Sequence, residues 1–545
     1  MSHFSKVLRS KKVMTWDLER ERIGLENDIK TVDFTAKYMA VSNLHSFAQT
    51  HPDITRPETI SALESVLKNL SLSSHKQSLF LYKQAAGALA SIIALSSDKI
   101  LTEQATSALE NILATTGGYP HRAAAEALGS LPVSINGPKV GEEQIESIPS
   151  VKWQKILEEN GINGHNTASF VGRSFVVGVD GQHKTLVIKL ARAQDSPKTI
   201  YREAVWMEHL CSGGYSFPVR FNVPTALKFQ GSYVFRLKNI PVRAPDEIDL
   251  HPKRYAIGFI ADKDYFNYPN NYRAGKGYTA ERFREVMFRS AWLLGRLTSL
   301  GIVHTAPIGL FHNRVQRNRR SDNGLYEWQQ GGRLDRWLGS CSYPNFGLTG
   351  IRDFEHLIPL EGRSRGLYRY IGTHILSLLL VTGSYFRNKD SKRVGLDHKG
   401  EPVDARDLFD KQLFKELIQG IYIRYYHGFV GRELTGEFPF NVDNLALRMI
   451  EEMGVDRYME EILRVPDQNQ MTDKEFRDFL KRRGYTDQEI DGLKKGAQNI
   501  VIHTGPHLGG FNQRISLPEL IESVGTMSAL CMVGRYQKEK FYGSV

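Results

Sequence analysis

Tyr343-Pro344-Asn345-Phe346-Gly347-Leu348-Thr349-Gly350-Ile351-Arg352-Asp353-Phe354-Glu355 is the stretch on which the reading of this chain turns. Phe346 to Leu348 and Ile351 to Phe354 can pair as two short strands, joined at Thr349-Gly350 by a hairpin-type turn. Such a hairpin brings the Asn345 amide and the Asp353 carboxylate to one end. Both carry oxygen, the donor that hard divalent cations such as Mg²⁺ prefer. Asn, Asp and Gly are also what any tight turn favours, so the stretch takes its meaning from what lies upstream.

Thr185 to Ala191 reads as a buried strand with a single Lys, Lys189, inside it. A lysine in such a run is costly unless it has a partner. Ser174 to Val179 reads as a preceding strand, and Asp180-Gly181 turns the chain between the two. Ser196-Pro197 then opens a helix in which Ile200, Ala204, Met207 and Leu210 recur at helical spacing. That helix carries Glu203, 14 positions beyond Lys189. Gly231 to Leu237 is a further strand-like run.

The order of strand, Lys strand, Glu helix, strand, His loop, Asn and Asp-Phe-Glu resembles that of the protein-kinase-like superfamily, over roughly residues 165 to 380. The resemblance implies an α+β, two-lobed kinase-like fold with a small lobe at 165–240 and a large lobe at 241–545. In that frame Lys189 pairs with Glu203 and meets the phosphates of ATP, and Asn345 and Asp353 hold Mg²⁺. The run ending at Leu237 leads to the hinge where adenine docks, and Gly172 and Arg173 lie in the loop covering the phosphates. His304, Asn345 and Asp353 form the catalytic set.

The departures carry as much weight. After the helix Ala291 to Leu300 the chain reads Ile302-Val303-His304-Thr305-Ala306, with Ala306 where such enzymes carry the Asp that accepts the substrate proton. Gly172 and Gly178 do not complete a Gly-x-Gly-x-x-Gly loop. A basic insertion at 310–340 separates His304 from Tyr343 by 39 positions and holds Arg314, Arg317, Arg319, Arg320, Arg333 and Arg336. Asn313 is a rival metal ligand, and His312, Asp322 or Asp335 can supply a base from the insertion. The chain resembles the atypical group that lacks the catalytic-loop carboxylate, in which some members transfer AMP and others are inactive scaffolds. The expectation is an ATP-dependent transferase moving phosphoryl or AMP to a protein acceptor. A scaffold without catalysis and a basic helical-repeat protein binding nucleic acid are the alternatives, the nucleic-acid partner being permitted but not favoured.

The rest of the chain frames this reading. Its 545 residues, 41% hydrophobic and 24% charged, suffice for two to four domains. The net charge of +11 is spread along the sequence, so it permits phosphate or nucleic acid without demanding either. Three scattered cysteines give neither a disulfide framework nor a metal spacing, which points to a reducing cytoplasm. The longest apolar run, Ile375 to Val381, falls far short of the roughly 20 residues of a membrane span. His503 and His507 lack the further ligands of a metal set.

Residues 1–132 form an N-terminal α-helical domain in which Ala-x-x-Ala-Leu recurs at Ala85, Ala105 and Ala124. This is the pattern of stacked antiparallel helices of the HEAT or armadillo kind, suited to binding a partner. Residues 133–164 read as a linker, and the C-terminal extension reads as mostly helical.

Overall fold

A computed structural model describes residues 17–308, 343–387 and 411–434 apart from short breaks, the longest at 268–279, together with the helix Pro518–Tyr542 and a few isolated stretches. The basic insertion, with its arginines, Asn313, His312, Asp322 and Asp335, lies outside the described residues, as does His507. The class is α+β, with a helical N-terminal region and a sheet.

The N-terminal region begins with α1 (17–28), α2 (Phe34–Thr50), α3 (Pro57–Lys68), α4 (Lys76–Leu95), α5 (Lys99–Thr115) and α6 (Gly118–Gly129). Side-chain caps start two of them. Asp33 accepts from Ala36 N, and Asp98 accepts from the backbone N–H groups of Ile100 and Leu101. Helices α2, α4 and α6 lie in one row, with α3 and α5 packed against α4 in a second. The repeated Ala-x-x-Ala-Leu positions are the contact residues: Ala85, Ala88, Leu89, Ala105, Ala108, Leu109, Ala124, Ala127 and Leu128 are all buried. Small side chains there let neighbouring helices approach closely. Among the described residues one segment, Ser78–Leu95 in α4, is long and apolar enough to cross a bilayer by length and composition, and half of it is buried in this stack.

The sheet has seven strands: β2 (Ser150–Val151), β3 (Ser169–Val171), β4 (Ser174–Val179), β5 (Lys184–Leu190), β6 (Thr225–Leu227), β7 (Phe235–Leu237) and β8 (Tyr255–Asp262). Their order is β2-β7-β8-β5-β4-β3, with β6 also on β8. All neighbours are antiparallel except β2 and β7. Leu186, Ile188 and Leu190 of β5 share one core with Trp153, Ile156 and Leu157 of α7 (Trp153–Glu159). Val187 lies in the other core with Ile200, Ala204 and Met207 of α8 (Pro197–Ser212). By strand alternation Lys189 shares the face of Val187.

Two boundaries move. The sheet runs from Ser150 to Asp262, wider than 165–240, and the expected linker contributes β2 and α7, because Val151, Trp153, Ile156 and Leu157 bury against it. The inner neighbour of the Lys strand is β8, not the run ending at Leu237. Tyr255 to Asp262 is the longer apolar run, and it pairs with all seven residues of β5. The run ending at Leu237 is β7, which pairs with β8 on the side away from β5.

Beyond the sheet come α9 (Ala280–Ser299) and β9 (Ile302–His304), the hairpin of β10 (Phe346–Gly347) and β11 (Gly350–Ile351), and then β12 (Leu357–Pro359), which pairs with β9. Strand β13 (Gly362–Ser364) returns to β1 (Val133–Ile135) at the edge of the helical stack. The hairpin turns at Leu348-Thr349, one residue earlier than expected. Gly350 lies within the pairing at φ 122°, where the Phe221 ring would sit 2.4 Å from an added Cβ.

Helices α10 (Leu367–Arg387) and α11 (Lys411–Val430) complete this half, and α12 (Pro518–Tyr542) lies against α6, α10 and α11. Val533 belongs to the N-terminal core while Val524, Met527, Cys531 and Met532 belong to the other. Helix α12 thus joins the two halves through a shared buried element. Helices α9 and α11 cross backbone to backbone: a Cβ on Gly428 would stand 2.1 Å from the Trp292 carbonyl oxygen, and one on Gly295 2.4 Å from that of Tyr425. Gly428→Ala should therefore force the helices apart and destabilise the chain by about 1–3 kcal/mol, read as a lowered Tm. An unchanged Tm would show that the crossing is loose.

Candidate functional site

Lys189 lies on the inner strand β5, opposite Ser174 on one side and Ile257 on the other. Its side chain is only 6% exposed. A buried ammonium must find anions, and three approach. Lys189 Nζ lies 2.7 Å from Glu203 Oε2 on α8, 2.9 Å from Asp353 Oδ1 and 3.3 Å from Glu355 Oε2. Arg173, in the two-residue turn between β3 and β4, donates to both oxygens of Glu355 at 2.6 and 2.8 Å. Its other terminal nitrogen donates to Asp195 at 2.7 Å. Asp195 in turn accepts from Arg192 N at 2.9 Å. Two cations thus stand among four carboxyl groups.

The electrostatics follow from that imbalance. Burial alone would lower the Lys189 pKa, but Asp353, Glu203 and Glu355 outweigh it and hold it above the usual lysine range. Arg173 is likewise held up, its carboxylate neighbours overcoming burial. Burial resists ionisation of Glu355, yet Arg173, Lys189, His356 and a proton shared from Glu203 keep it well below the usual carboxylate range. Asp353 is also held low, Lys189 overcoming burial, though its side chain is 37% exposed and solvent screens part of that attraction. Glu203 goes the other way. Burial pushes it up to about 8 against the pull of Lys189, and no donor is well directed at either of its oxygens.

The hairpin end is held by backbone bonds. Asn345 O accepts from Arg352 N at 2.8 Å, so Asn345 and Arg352 close the ladder and Asp353 follows directly. Asp353 is left-handed, at φ 51° and ψ 58°, a conformation costing on the order of 1 kcal/mol that the surroundings impose. His304 Nε2 donates to Arg352 O at 2.8 Å, and Ala306 N donates to His304 Nδ1 at 3.2 Å. These bonds define the ring as the Nε2–H tautomer with its lone pair taken. His304 is therefore an anchor of the loop, with no free nitrogen to act as a base.

His304 O accepts from His374 Nε2 at 2.8 Å, and burial pushes His374 down to about 3, so it is neutral. Arg352 is buried and donates to the carbonyls of Tyr265, Pro344 and Phe346, tying the hairpin to the chain that leaves β8.

Of the residues singled out from sequence, Lys189, Glu203, Asp353 and Arg173 converge on one point, and Asn345 sits at the hairpin end beside Asp353. His304 reaches that end only through the backbone. Gly172 stands in the β3–β4 turn at φ 55°, where a side chain would be strained, and it supplies conformation rather than contact. Arg173 is engaged by Glu355 and Asp195 and so holds the turn over the cluster, which departs from the expectation of a phosphate ligand. Asp195 joins the cluster and Arg352 ties the hairpin beside it, neither expected from sequence, whereas Glu355 closes the Asp-Phe-Glu motif. Only Glu355 had a signal, as an acid two positions after Asp353.

Asn345 Nδ2 donates to Ala306 O at 2.9 Å, which leaves the amide oxygen to accept or to ligate. With the ionised, partly exposed Asp353, that donor set fits a hard divalent cation. Among the described residues no group of three or more His, Cys, Asp or Glu is placed to hold a metal, so the protein would supply two ligands and water the rest. No known protein-family model matches the chain, and no curated protein matches it.

The raised Glu203 pKa has a consequence for stability. The folded chain keeps a proton that the unfolded chain releases. The stability this brings is complete below the ordinary pKa of 4.5, falls as pH rises to about 8, and is absent above that. The span corresponds to on the order of 4 kcal/mol. Glu203→Gln carries neutral hydrogen-bonding groups at every pH. Wild-type stability measured relative to this variant should therefore decline between pH 5 and 8 and level off beyond. Parallel profiles for the two proteins would show that Glu203 is ionised throughout.

Proposed function

We propose that this chain is an ATP-dependent transferase of the protein-kinase-like type, moving phosphoryl or AMP to a protein acceptor. The observation that carries the reading is the meeting of Lys189, Glu203 and Asp353 at one buried point beside Asn345. Of the three carboxyl groups around Lys189, Asp353 is the replaceable one. Its side chain is 37% exposed, whereas those of Glu203 and Glu355 are 0% and 5%. Lys189 would take phosphate oxygens on that open side, with Glu203 and Glu355 fixing the ammonium from behind. Asn345 and Asp353 would hold Mg²⁺, whose charge would offset that of the phosphates.

The catalytic step is the less familiar part. Ala306 is buried and carries no proton acceptor, and its carbonyl is occupied by Asn345. General-base assistance, worth about 10²–10⁴-fold, must come from outside this loop, or the acceptor must react without it. Transfer of AMP, with pyrophosphate leaving, would need cationic stabilisation of the leaving group. The helical stack is suited to positioning a partner, in the manner of HEAT-like repeats, and a cytoplasmic setting agrees with the cysteine usage. The absence of an acid at position 306, with Lys189 already holding three carboxylates, favours a non-catalytic scaffold as the second reading.

Incubation with Mg²⁺ and either α- or γ-labelled ATP tests the reading. Label retained from α-ATP alone marks AMP transfer, label from γ-ATP alone marks phosphoryl transfer, and ATP binding without either marks the scaffold. Lys189→Ala and Asp353→Asn should each reduce Mg·ATP binding at least tenfold, with folding checked by circular dichroism. Affinity equal to the parent in both variants would remove the nucleotide site from this cluster.

A further inference from the structure

A second site lies apart from the Lys189 cluster. Helix α9, helix α11 and the segment Pro218–Arg220 enclose an open groove of about 570 Å³. It continues past Arg220, Glu285 and Arg289 into a space of about 350 Å³ that reaches Leu348 in the hairpin turn. The combined size suits a short segment of chain rather than a lone ion.

The walls are of two kinds. Phe288 and Trp292 give an apolar side, and Arg220, Arg289 and Arg424 give a cationic one, with His427 beside them. Two of the guanidiniums are committed: Arg220 to Asp262 at 3.1 Å, and Arg289 to Glu285 and, at 3.0 Å, to Leu348 O. Arg424 is exposed and has no ion pair or hydrogen bond among the described residues. His427 Nδ1 is buried and likewise lacks a partner among them. The Arg424 guanidinium, without a partner among the described residues and on a groove shared with Trp292, can take a carboxylate beside a large apolar side chain.

We infer that this groove binds a peptide segment in which an acidic residue stands next to a large apolar one. Glu281 and Glu285 on the same walls decide against nucleic acid, since they would repel a run of phosphates. A peptide offers backbone N–H donors to those carboxylates and a single side-chain carboxylate to Arg424. Arg289 joins the groove to the hairpin turn, five positions before Asp353. A segment held here would therefore lie beside the element that carries Asp353. The inference stands on the groove alone and does not require the nucleotide reading.

The probe is a fluorescein-labelled synthetic peptide of twelve residues with one Glu flanked by Trp and Leu in an otherwise Gly/Ser sequence, titrated against the full chain by anisotropy without nucleotide. A version with Lys for Glu and a single-stranded oligothymidylate serve as comparisons. The acidic peptide should bind at least tenfold tighter than either. Arg424→Glu, at an exposed position, should weaken it at least tenfold and should raise affinity for the Lys version, a reversal that loss of folding cannot produce. Trp292→Ala should weaken both peptides. Equal affinity of Arg424→Glu and wild type for the acidic peptide, or tighter binding of the oligothymidylate, overturns the inference.

Discussion

A lysine ammonium buried on the inner strand of a sheet constrains everything around it. Leaving Lys189 unpaired there would cost several kcal/mol or force it neutral, so the chain must deliver anions from elsewhere. It does so from two separate elements, Glu203 on α8 and the Asp353–Glu355 pair after the hairpin. Ion pairs of this kind contribute little net stability once desolvation is counted. Their effect here is positional: α8 and the hairpin cannot slide on the sheet without uncovering a charge. Arg173 adds the β3–β4 turn to the same lock by gripping Glu355 from the other side.

The second constraint is a line of neutral hydrogen bonds. Tyr425 on α11 meets His374 Nδ1 on α10 at 2.9 Å, His374 holds the carbonyl of His304, and His304 holds the carbonyl of Arg352. Because His374 is kept uncharged by burial and both nitrogens of His304 are engaged, the line does not change across the physiological pH range. It fixes the left-handed turn at Asp353, so the carboxylate nearest solvent is also the most firmly aimed. The charged cluster and the neutral line meet at this one residue.

Much of the local structure was readable in advance. The β4–β5 pair, α8 and its buried Glu203, the hairpin, and the Ala-x-x-Ala-Leu contacts of the N-terminal helices all follow from period, turn residues and side-chain size. The hairpin turn was misread by one residue because Gly350 is required by the Phe221 ring packed against it, a contact from 129 positions upstream. Strand β8, Tyr255 to Asp262, is a largely apolar run beside β7. Local pattern can propose both as strands, but only pairing decides which lies beside Lys189.

What the sequence determined by itself is the set of elements and one improbable residue: a lysine in a run too apolar to hold it, and therefore a partner somewhere. Tertiary structure decided which partners. Asp195 looks like an ordinary surface acid in sequence, Glu355 like the end of the Asp-Phe-Glu motif, and Arg173 like a loop cation free to bind phosphate. Folding turns all three into a closed ion-pair cluster. The pKa of Glu203 rises while those of Asp353 and Glu355 fall: at fully buried Glu203 desolvation outweighs Lys189, whereas Arg173, Lys189 and His356 together overcome it at Glu355, and Lys189 does so at the more exposed Asp353. Residue types can be read along the chain; the balance between desolvation and Coulomb attraction depends on separations of a few ångströms, and those exist only once the chain has folded.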